Sequence, residues 1–334
     1  MEYKKIIIIP AYQPNDKLVQ LINNINRKFK KDISVIIVDD GSGEQYSTIF
    51  NEISSHCVVL HHTVNKGKGR ALKTAYQYVI DNFKDEKYII VTVDCDGQHS
   101  LDDVICLIEY NEDHPDVLVL GSRKLNNKVP LRSKLGNTIT RIVFFIATHL
   151  FIYDTQTGLR SFSNDLIKYM LCIKGERFEY EMNVLLYLTR LSIPIHEIDI
   201  QTIYIDNNSG SHFHTIRDSY HIYKQIFKFS WLPILSFFIN ILLFILFVRL
   251  FSFNIVLSYT ISTLLSLLFY ILNKKSRRTL SFSFYLLSFL FLIIGNILLL
   301  GIRYFSIPLL LSKLIVDFIT LFLYYLMCGL FINK

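Results

Sequence analysis

Short apolar runs and amphipathic segments alternate through the first two thirds of the chain. Five runs rich in Ile, Val and Leu predict buried strands, at residues 5–9, 33–38, 58–60, 88–93 and 116–120. Between the first two runs, residues 17–29 carry apolar side chains at helical spacing, namely Leu18, Leu21, Ile22 and Ile25. A strand, a helix and a strand in this order predict an α/β domain with a mostly parallel sheet. The carboxyl ends of such strands line a crevice.

The last third of the chain has a different pattern. From Trp231 onward the sequence is nearly all Leu, Ile, Phe, Ser and Tyr. It contains four apolar stretches, at about 230–250, 253–273, 279–302 and 306–331. Each is long enough to span a bilayer, which takes about 20 residues. We therefore predict an α/β domain at 1–215, a juxtamembrane connector at 216–229 and an all-α, four-helix transmembrane domain at 230–334.

Composition and charge agree with a membrane protein. Of the 334 residues, 51% are hydrophobic, which is too many for an ordinary soluble protein of this size. The formal net charge of +7 belongs to the part after residue 230, where eight Lys and Arg accompany one Asp. The α/β domain is thus about neutral, which argues against a nucleic-acid surface. Five scattered cysteines without C-x-x-C spacing indicate neither a zinc site nor a disulfide framework.

The strongest charge cluster predicts the orientation in the membrane. Lys274, Lys275, Arg277 and Arg278 lie between the second and third apolar stretches. Because positive residues that flank spans face the cytosol, we expect a multi-pass protein of the cell membrane with its α/β domain on the cytosolic side. Within the last stretch, Lys313 and Asp317 lie four residues apart and are expected to pair on one helix face.

Two carboxylates follow the fourth predicted strand directly. Asp94 and Asp96 are one residue apart, and because side chains alternate along a strand we expect them to point the same way while Cys95 points to the other face. Two carboxylates held together repel each other unless a cation lies between them. Together with the Gln98 amide they offer oxygen ligands that suit Mg²⁺ or Mn²⁺. The alternative is an acidic strand end followed by an ordinary glycine turn.

Glycines and basic residues precede a further predicted helix. Residues 65–70, Asn-Lys-Gly-Lys-Gly-Arg, come just before a helix that is expected to begin near Ala71. Backbone N–H groups at such a helix start can receive a phosphate, although a solvated turn explains the segment equally well. The Walker A spacing is absent, which argues against an ATPase.

Five motifs together resemble those of family 2 glycosyltransferases with the GT-A fold. They occur in the order and spacing of that family and cover about residues 5–215: Pro10-Ala11-Tyr12, Val38-Asp39-Asp40-Gly41-Ser42, Asn65-Lys66-Gly67-Lys68-Gly69, Asp94-Cys95-Asp96-Gly97-Gln98-His99 and Gly121-Ser122-Arg123. Within the family, the chain resembles the polyprenyl-phosphate sugar transferases, the dolichol-phosphate mannose synthase group. The four apolar stretches resemble the GtrA-like membrane domain attached to some of these enzymes.

The resemblance implies a Rossmann-like catalytic domain, an activity and a set of site residues. It implies inverting transfer of a sugar from a GDP- or UDP-linked donor to an undecaprenyl or dolichyl phosphate. Residues 66–69 would help form the donor pocket, and eight residues would contact the donor: Pro10, Ala11, Tyr12, Asp39, Asp40, Lys66, Gly67 and Asp94. Asp94, Asp96 and Gln98 would hold the metal that bridges the diphosphate, with Asp96 catalytic. Relatives commonly have Asn-Glu where this chain has Gln13-Pro14, which leaves the choice of nucleotide open.

The acceptor is expected to need charge compensation and no general base, because a polyprenyl phosphate is already an anion at pH 7. Arg123 and Arg132 are the residues predicted to hold its phosphate, since the planar guanidinium suits phosphate oxygens. Arg132 could instead extend to the membrane surface. The apolar run 142–153, too short to span, fits either an interfacial helix or a buried core helix.

Some assignments stay open at the level of the sequence. Glu179 and Glu181 resemble part of the transferase motifs, but they also suit the acidic first turn of a helix. Asp154 begins a polar loop, and His212 and His214 are typical of a surface loop. A processive polysaccharide synthase is disfavoured because no Q-x-x-R-W pattern occurs. A lipid-binding or flippase-type protein with an inactive sugar-binding domain is the non-enzyme alternative, and the intact Asp94, Asp96 and Gln98 argue against it. The membrane domain could also form a homo-oligomer.

Overall fold

The protein is described by a computed structural model that covers residues 3–30, 32–84, 86–123, 131–148, 150–201, 215–273 and 282–331. The chain forms two compact units. The first consists of Met1–Arg141, Ile152–Thr189 and Ile193–Gln225. The second consists of Ile142–Phe151, Arg190–Ser192 and Ile226–Lys334.

A seven-stranded sheet forms the centre of the first unit. Its strands are β1 Lys4–Ala11, β2 Ile33–Asp39, β3 Val58–His61, β4 Tyr88–Thr92, β5 Leu118–Arg123, β6 Arg160–Ser163 and β7 Ile195–Ile200. They lie in the order β3-β2-β1-β4-β6-β5-β7, and only β6 is antiparallel to its neighbours, β4 and β5. The prediction of an α/β domain with a mostly parallel sheet is confirmed. All five predicted strands are present, whereas β6 and β7 were not predicted.

Helices lie between and after the strands along the chain. They are α1 Asp16–Phe29, a 3-10 turn at Glu44–Tyr46, α2 Ser47–Ile53, α3 Lys68–Asn82, α4 Leu101–Asp113, α5 Leu131–Thr148, α6 Asn164–Cys172, α7 Glu179–Leu191 and α8 Thr215–Phe229. The predicted apolar face of α1 is buried in the core next to β1 and β2. Asn15 caps this helix by accepting the Lys17 N–H at 3.1 Å, which satisfies one of the donors that a helix start leaves unpaired.

Four helices form most of the second unit: α9 Trp231–Arg249, α10 Ile255–Asn273, α11 Phe282–Tyr304 and α12 Leu309–Phe331. They coincide with the four predicted apolar stretches. Among the described residues, Ile255–Asn273 and Leu286–Tyr304 are long and apolar enough to cross a membrane, and the consecutive helices 217–229 and 234–249 could together provide a third crossing. Four crossings and a cytosolic catalytic domain therefore stay predictions. The basic cluster at 274–278 lies outside the described residues.

Buried polar and aromatic contacts tie the second unit together. Lys313 is fully buried, and its Nζ lies 2.8 Å from Asp317 Oδ2, so the expected i, i+4 pair is present. The apolar run after Arg141 continues α5, and its Phe144 and Phe145 side chains are fully buried. The Phe145 ring lies 5.6 Å from that of Tyr324, centroid to centroid. These contacts favour the buried-helix interpretation of this run over the interfacial one.

Candidate active site

A cleft of about 460 Å³ opens at the carboxyl ends of β1, β2 and β4. Parallel strands end at the same edge of a sheet, so residues far apart in the sequence meet there. The lining residues are Pro10, Ala11, Tyr12, Asp40, Asn65, Gly67, Lys68, Ala71, Asp94, Cys95, Asp96, Arg177, Phe178, Arg217 and Asp218. Seven of the residues predicted to contact the donor or the metal are among them.

The Asp94–Asp96 motif lies in a turn and not on a strand. The strand β4 ends at Thr92, although the Val93 N–H still bonds to Ile8 O at 2.9 Å. Asp96 accepts the Gln98 N–H at 3.0 Å through Oδ1, and Gly97 takes a φ of 76°. Such a side-chain turn fixes its own geometry. Both carboxylates line the cleft, but the predicted cause, the alternation of side chains along a strand, is wrong because the strand ends before them.

Lys68 connects Asp94 to a second acid from another part of the chain. Its Nζ lies 2.8 Å from Asp94 Oδ1 and 2.9 Å from Glu181 Oε1. The Lys68 and Glu181 side chains are only 16% and 9% exposed, so this is a largely buried ion-pair cluster. His99 Nε2 lies 3.6 Å from Asp94 Oδ2 on the other side. Glu181 thus has an ion-pair partner at the cleft, beyond its position in the first turn of α7.

The charges of this cluster set the protonation of its members. Burial alone would raise the pKa of Asp94, but the Lys68 charge and the contact with His99 hold that pKa well below its ordinary value. Burial would likewise lower the pKa of Lys68, yet Asp94 and Glu181 raise it. Burial and the neighbouring Asp94 charge raise the pKa of Asp96. Asp94 is therefore stabilised as an anion by the protein, whereas Asp96 is held in a site that disfavours its charge.

Gly158 makes room for the Asp94 carboxylate. A Cβ at Gly158 would lie 2.3 Å from Asp94 Oδ2 and 2.5 Å from its Oδ1, closer than any real contact. The Gly158 carbonyl accepts the Thr92 hydroxyl at 2.7 Å, which holds this segment against the end of β4. The Asp154–Arg160 segment therefore supports the motif directly.

Asp40 organises the glycine segment that precedes α3. Its carboxylate accepts the N–H groups of Lys66 at 2.9 Å and Gly67 at 2.7 Å, and it lies 2.7 Å from His62 Nδ1. From the sequence, these backbone N–H groups were expected either to donate hydrogen bonds to a phosphate or to lie in a solvated turn. In the structure they bind an anion of the protein itself. The helix also begins at Lys68 and not near Ala71, which places the Lys68 side chain at the cleft.

Two residues predicted to contact the nucleotide sugar, Asp39 and Lys66, do not line the cleft. Asp39 accepts the Ser42 N–H at 2.9 Å and lies 3.0 Å from His61 Nδ1, so it shapes the turn after β2 and is not part of the cleft lining. Lys66 is exposed, and its side chain is not part of the lining either. Gln13, in the unusual Gln13-Pro14 pair, has a φ of 49° and donates its N–H to Ser42 Oγ at 2.8 Å. The turn after β2 therefore also positions the residue next to Tyr12.

Of the two predicted acceptor-binding residues, only the Arg123 side chain is described, and it lies outside the cleft lining. Arg123 Nε lies 2.6 Å from Asp154 Oδ2, and its Nη2 lies 3.2 Å from Oδ1, a bidentate pair with a buried carboxylate. Asp154, which the sequence analysis left open, is thus the ion-pair partner of Arg123. Arg132 lies in the first turn of α5, and its side chain is outside the described part of the chain. His212 and His214 also lie outside the described residues.

Three basic residues of the described chain line the cleft. Lys68 belongs to residues 66–69, which the family resemblance predicted to help form the nucleotide-sugar pocket, whereas the exposed Arg177 and Arg217 were not predicted. The Gly-Lys-Gly spacing gave a local signal for Lys68. Arg177 gave no such signal, because only packing against α3 brings it to the cleft: a Cβ at Gly67 would lie 2.6 Å from Arg177 Cγ.

The lining suits a divalent cation that takes part of its ligands from a substrate. Among the described residues, no group of three or more His, Cys, Asp or Glu side chains is arranged to hold a metal ion. Mg²⁺, however, is typically bound by one or two carboxylates together with substrate phosphates and water. Asp96 fits this requirement, because it makes no ion pair with a Lys, Arg or His side chain in the described part of the chain. Gln98, the third predicted ligand, follows in the same turn.

Comparison with known proteins points to one enzyme family. The family model for glycosyl transferase family 2 matches residues 6–174 of the chain. The chain is 30% identical over 225 residues to the UDP-N-acetylglucosamine–dolichyl-phosphate N-acetylglucosaminyltransferase of Methanococcus voltae, which covers 60% of this chain and 86% of that protein. It is 27% identical over 253 residues to a dolichyl-phosphate beta-glucosyltransferase of Dictyostelium discoideum, covering 66% of this chain and 72% of that protein.

The fold has a solved counterpart. Glucosyl-3-phosphoglycerate synthase of Mycobacterium tuberculosis, crystallised with Mn²⁺, UDP and glucosyl-3-phosphoglycerate, superposes with a TM-score of 0.53. The sequence identity is 15%, and the match covers 68% of this chain and 80% of that one. At this identity the likeness concerns the fold of the catalytic unit.

Proposed function

Because the chain belongs to glycosyl transferase family 2 and is therefore a glycosyltransferase, we propose that it moves a sugar from a nucleotide diphosphate to a polyprenyl phosphate. The product would be a lipid-linked monosaccharide for glycan or glycoconjugate synthesis. The two relatives named as dolichyl-phosphate sugar transferases support the acceptor class. The two apolar helices that are long enough to cross a membrane support a lipid acceptor as well.

The charges of the cleft support a nucleotide diphosphate as the donor. Lys68, Arg177 and Arg217 bring three cationic side chains to a lining that also holds Asp94 and Asp96. Arginine binds phosphate oxygens through two parallel N–H groups, so Arg177 and Arg217 suit the diphosphate. Pro10, Ala11 and Tyr12 supply an apolar and aromatic wall, on which a base or ribose can pack.

Asp96 is the proposed anchor for a divalent cation, with Gln98 beside it. Mg²⁺ or Mn²⁺ bound there would stabilise the charge that develops on the leaving diphosphate. The protein's contribution is to keep one carboxylate of the motif available, because Lys68 already compensates the other. The cation thus completes a cleft whose remaining parts are preorganised by the fold.

An acceptor phosphate explains why the cleft needs no general base. In the proposed reaction, a phosphate oxygen of the acceptor forms a bond to the anomeric carbon while the bond to the nucleoside diphosphate breaks, which inverts the configuration. No proton has to be removed from the attacking atom, because the polyprenyl phosphate is already anionic at pH 7. Arg123 and Arg132 remain the proposed contacts to that phosphate, and the Arg123 side chain keeps 29% of its surface exposed.

The observation that carries the proposal is the cleft itself, where the described residues place three cationic side chains and an Asp96 carboxylate that makes no ion pair with any of them, at the edge of a family 2 sheet. We expect purified full-length protein in detergent to transfer labelled sugar from one member of a nucleotide-sugar panel to undecaprenyl or dolichyl phosphate. Mg²⁺ or Mn²⁺ should be required. Transfer that persists at full rate in excess EDTA would contradict the metal requirement.

A matched pair of variants tests the proposed role of Asp96 as the anchor of the divalent cation. Asp96→Asn should abolish transfer while the protein still folds, because the substitution removes one negative charge and keeps the side-chain volume. Asp102→Asn makes the same change at an exposed residue of α4 outside the cleft, and it should keep wild-type transfer. Equal activity of the two variants would refute the assignment of Asp96.

A further inference from the structure

The two carboxylates of the Asp94–Asp96 motif have different surroundings. Asp94 contacts Lys68 Nζ at 2.8 Å, lies 3.6 Å from His99 Nε2 and packs against Gly158. Asp96 accepts one backbone N–H at 3.0 Å and has no ion-pair partner among the described residues. In the sequence the two residues look equivalent, but within the described part of the fold only Asp94 forms an ion pair with a lysine.

We propose that Lys68 is a resident counter-cation of this site, which occupies Asp94 and Glu181 and so confines a divalent cation to the Asp96 side of the motif. This inference rests on the proposed function, because it concerns the cation of that reaction. It assigns Lys68 and Asp94 as positioning residues and Asp96 as the cation's carboxylate ligand. It also predicts that Lys68 weakens cation binding until the nucleotide sugar adds its own phosphate ligands.

The fold holds Lys68 in place through both of its neighbours. A Cβ at Gly67 would lie 2.5 Å from Glu176 O, and one at Gly69 would lie 2.5 Å from Tyr180 Cβ. The absence of both side chains lets the start of α3 pack directly on the segment that begins α7. The Arg70 N–H also bonds to Glu176 O at 2.9 Å. This close packing brings Lys68 within 2.9 Å of Glu181, which the Gly-Lys-Gly sequence alone does not reveal.

The charges of the cluster explain why the competition matters. The three carboxylates of Asp94, Asp96 and Glu181 and the one ammonium group of Lys68 have a net charge of −2 when all four are ionised. A divalent cation would neutralise that remainder. Without Lys68, Asp94 would offer the cation a second uncompensated carboxylate close to the first. Unit charges about 4 Å apart near a protein surface interact strongly enough to change an affinity at least tenfold.

Mn²⁺ binding to the full-length protein in detergent tests the inference independently of transfer. Free Mn²⁺ can be followed by electron paramagnetic resonance, with Mn²⁺ alone and with UDP or GDP added. Without nucleotide, Lys68→Met should bind Mn²⁺ at least about tenfold more tightly than the wild type, while its transfer activity falls. The double variant Lys68→Met/Asp94→Asn should return to within about threefold of wild-type affinity, because the carboxylate that Lys68 released is gone.

Conservative variants keep the test decisive if Lys68→Met fails to fold. Asp96→Asn should lose at least about tenfold more Mn²⁺ affinity than Asp94→Asn, because it removes the ligand itself, whereas Asp94→Asn removes a charge that Lys68 already compensates. Lys73→Met is the matched control on the same helix, because Lys73 also pairs with a glutamate, Glu176 at 3.4 Å, but lies outside the cleft lining. It should leave Mn²⁺ affinity unchanged.

The outcomes separate this inference from the proposed function. Equal losses of Mn²⁺ affinity in Asp94→Asn and Asp96→Asn, or no gain in a folded Lys68→Met, would overturn the counter-cation role while leaving a metal-dependent transferase intact. A wild-type protein that binds Mn²⁺ neither alone nor with UDP or GDP, and that transfers sugar in EDTA, would overturn the metal requirement itself.

Discussion

The ion pair between Arg123 and Asp154 should stabilise the catalytic unit independently of any role in binding the acceptor. The Asp154 side chain is only 2% exposed, and the Arg123 fork contacts both of its oxygens. Arg123→Met removes the charge and leaves a buried carboxylate without its cation. We therefore expect a less stable protein as well as weaker binding of polyprenyl phosphate.

The size of the loss follows from the burial of the two partners. Removing one partner of a fully buried pair costs about 3–5 kcal/mol. The Arg123 side chain is 29% exposed, so water can reach part of the vacated space, and we expect about 2–3 kcal/mol. For a domain of this size, 1 kcal/mol corresponds to about 2–4 °C, which gives a decrease in Tm of roughly 4–12 °C.

Thermal unfolding of the full-length protein in detergent, at one fixed scan rate, measures this decrease. Arg123→Met/Asp154→Asn should recover at least half of it, because the neutral amide no longer leaves a charge unpaired. A Tm of Arg123→Met within 2 °C of the wild type, which corresponds to about 0.5–1 kcal/mol, together with a raised KM for polyprenyl phosphate, would refute the stabilising role and leave only the acceptor contact.

Three further perturbations test other parts of the unit. Gly158→Ala should lower transfer at least about tenfold in a folded protein, because its Cβ would displace the Asp94 carboxylate from a position only 2.3 Å away; wild-type turnover would contradict this. Arg177→Met should raise the KM for the nucleotide sugar by about 10–100-fold through the loss of a charge-assisted hydrogen bond, with the KM for lipid phosphate unchanged. Burial raises the pKa of Glu197 above its ordinary value of 4.5. Between these two pKa values the folded chain keeps a proton that the unfolded chain has released, so the free energy of unfolding should decrease as the pH rises from the lower value to the higher one. Glu197→Gln should flatten this part of a Tm-against-pH curve, and an unchanged slope would argue against the assignment.

Sequence reasoning succeeded where short-range physics determines the structure. The β-branched runs predicted β1 to β5, because buried parallel strands need continuous apolar sequence. The order of strands and helices predicted that Ala11, Asp40 and Asp94 would reach the same edge of the sheet, and all three line the cleft. The four apolar stretches became α9 to α12.

It failed where a partner distant in the sequence determines the structure. The strand β6 is the four-residue segment Arg-Ser-Phe-Ser, whose composition does not indicate a strand; it forms by pairing with β4 and β5. β7 begins at Ile195 and pairs in parallel with β5, which no local signal specified. Arg177 reaches the cleft only because Gly67 allows close packing. Each of these features depends on contacts between segments.

The Asp94–Asp96 motif shows why a local pattern does not assign chemical roles to its members. From the sequence, both carboxylates are equally good metal ligands. In the fold, Asp94 occupies the space that Gly158 leaves and neutralises a lysine at the start of α3, while Asp96 is held by the N–H of its own turn. The roles differ because the neighbours come from three separate segments. The metal ligand in such a pair of carboxylates is therefore best identified by asking which carboxylate already forms an ion pair with the protein. A metal ion can bind the other carboxylate without first displacing a buried ammonium group.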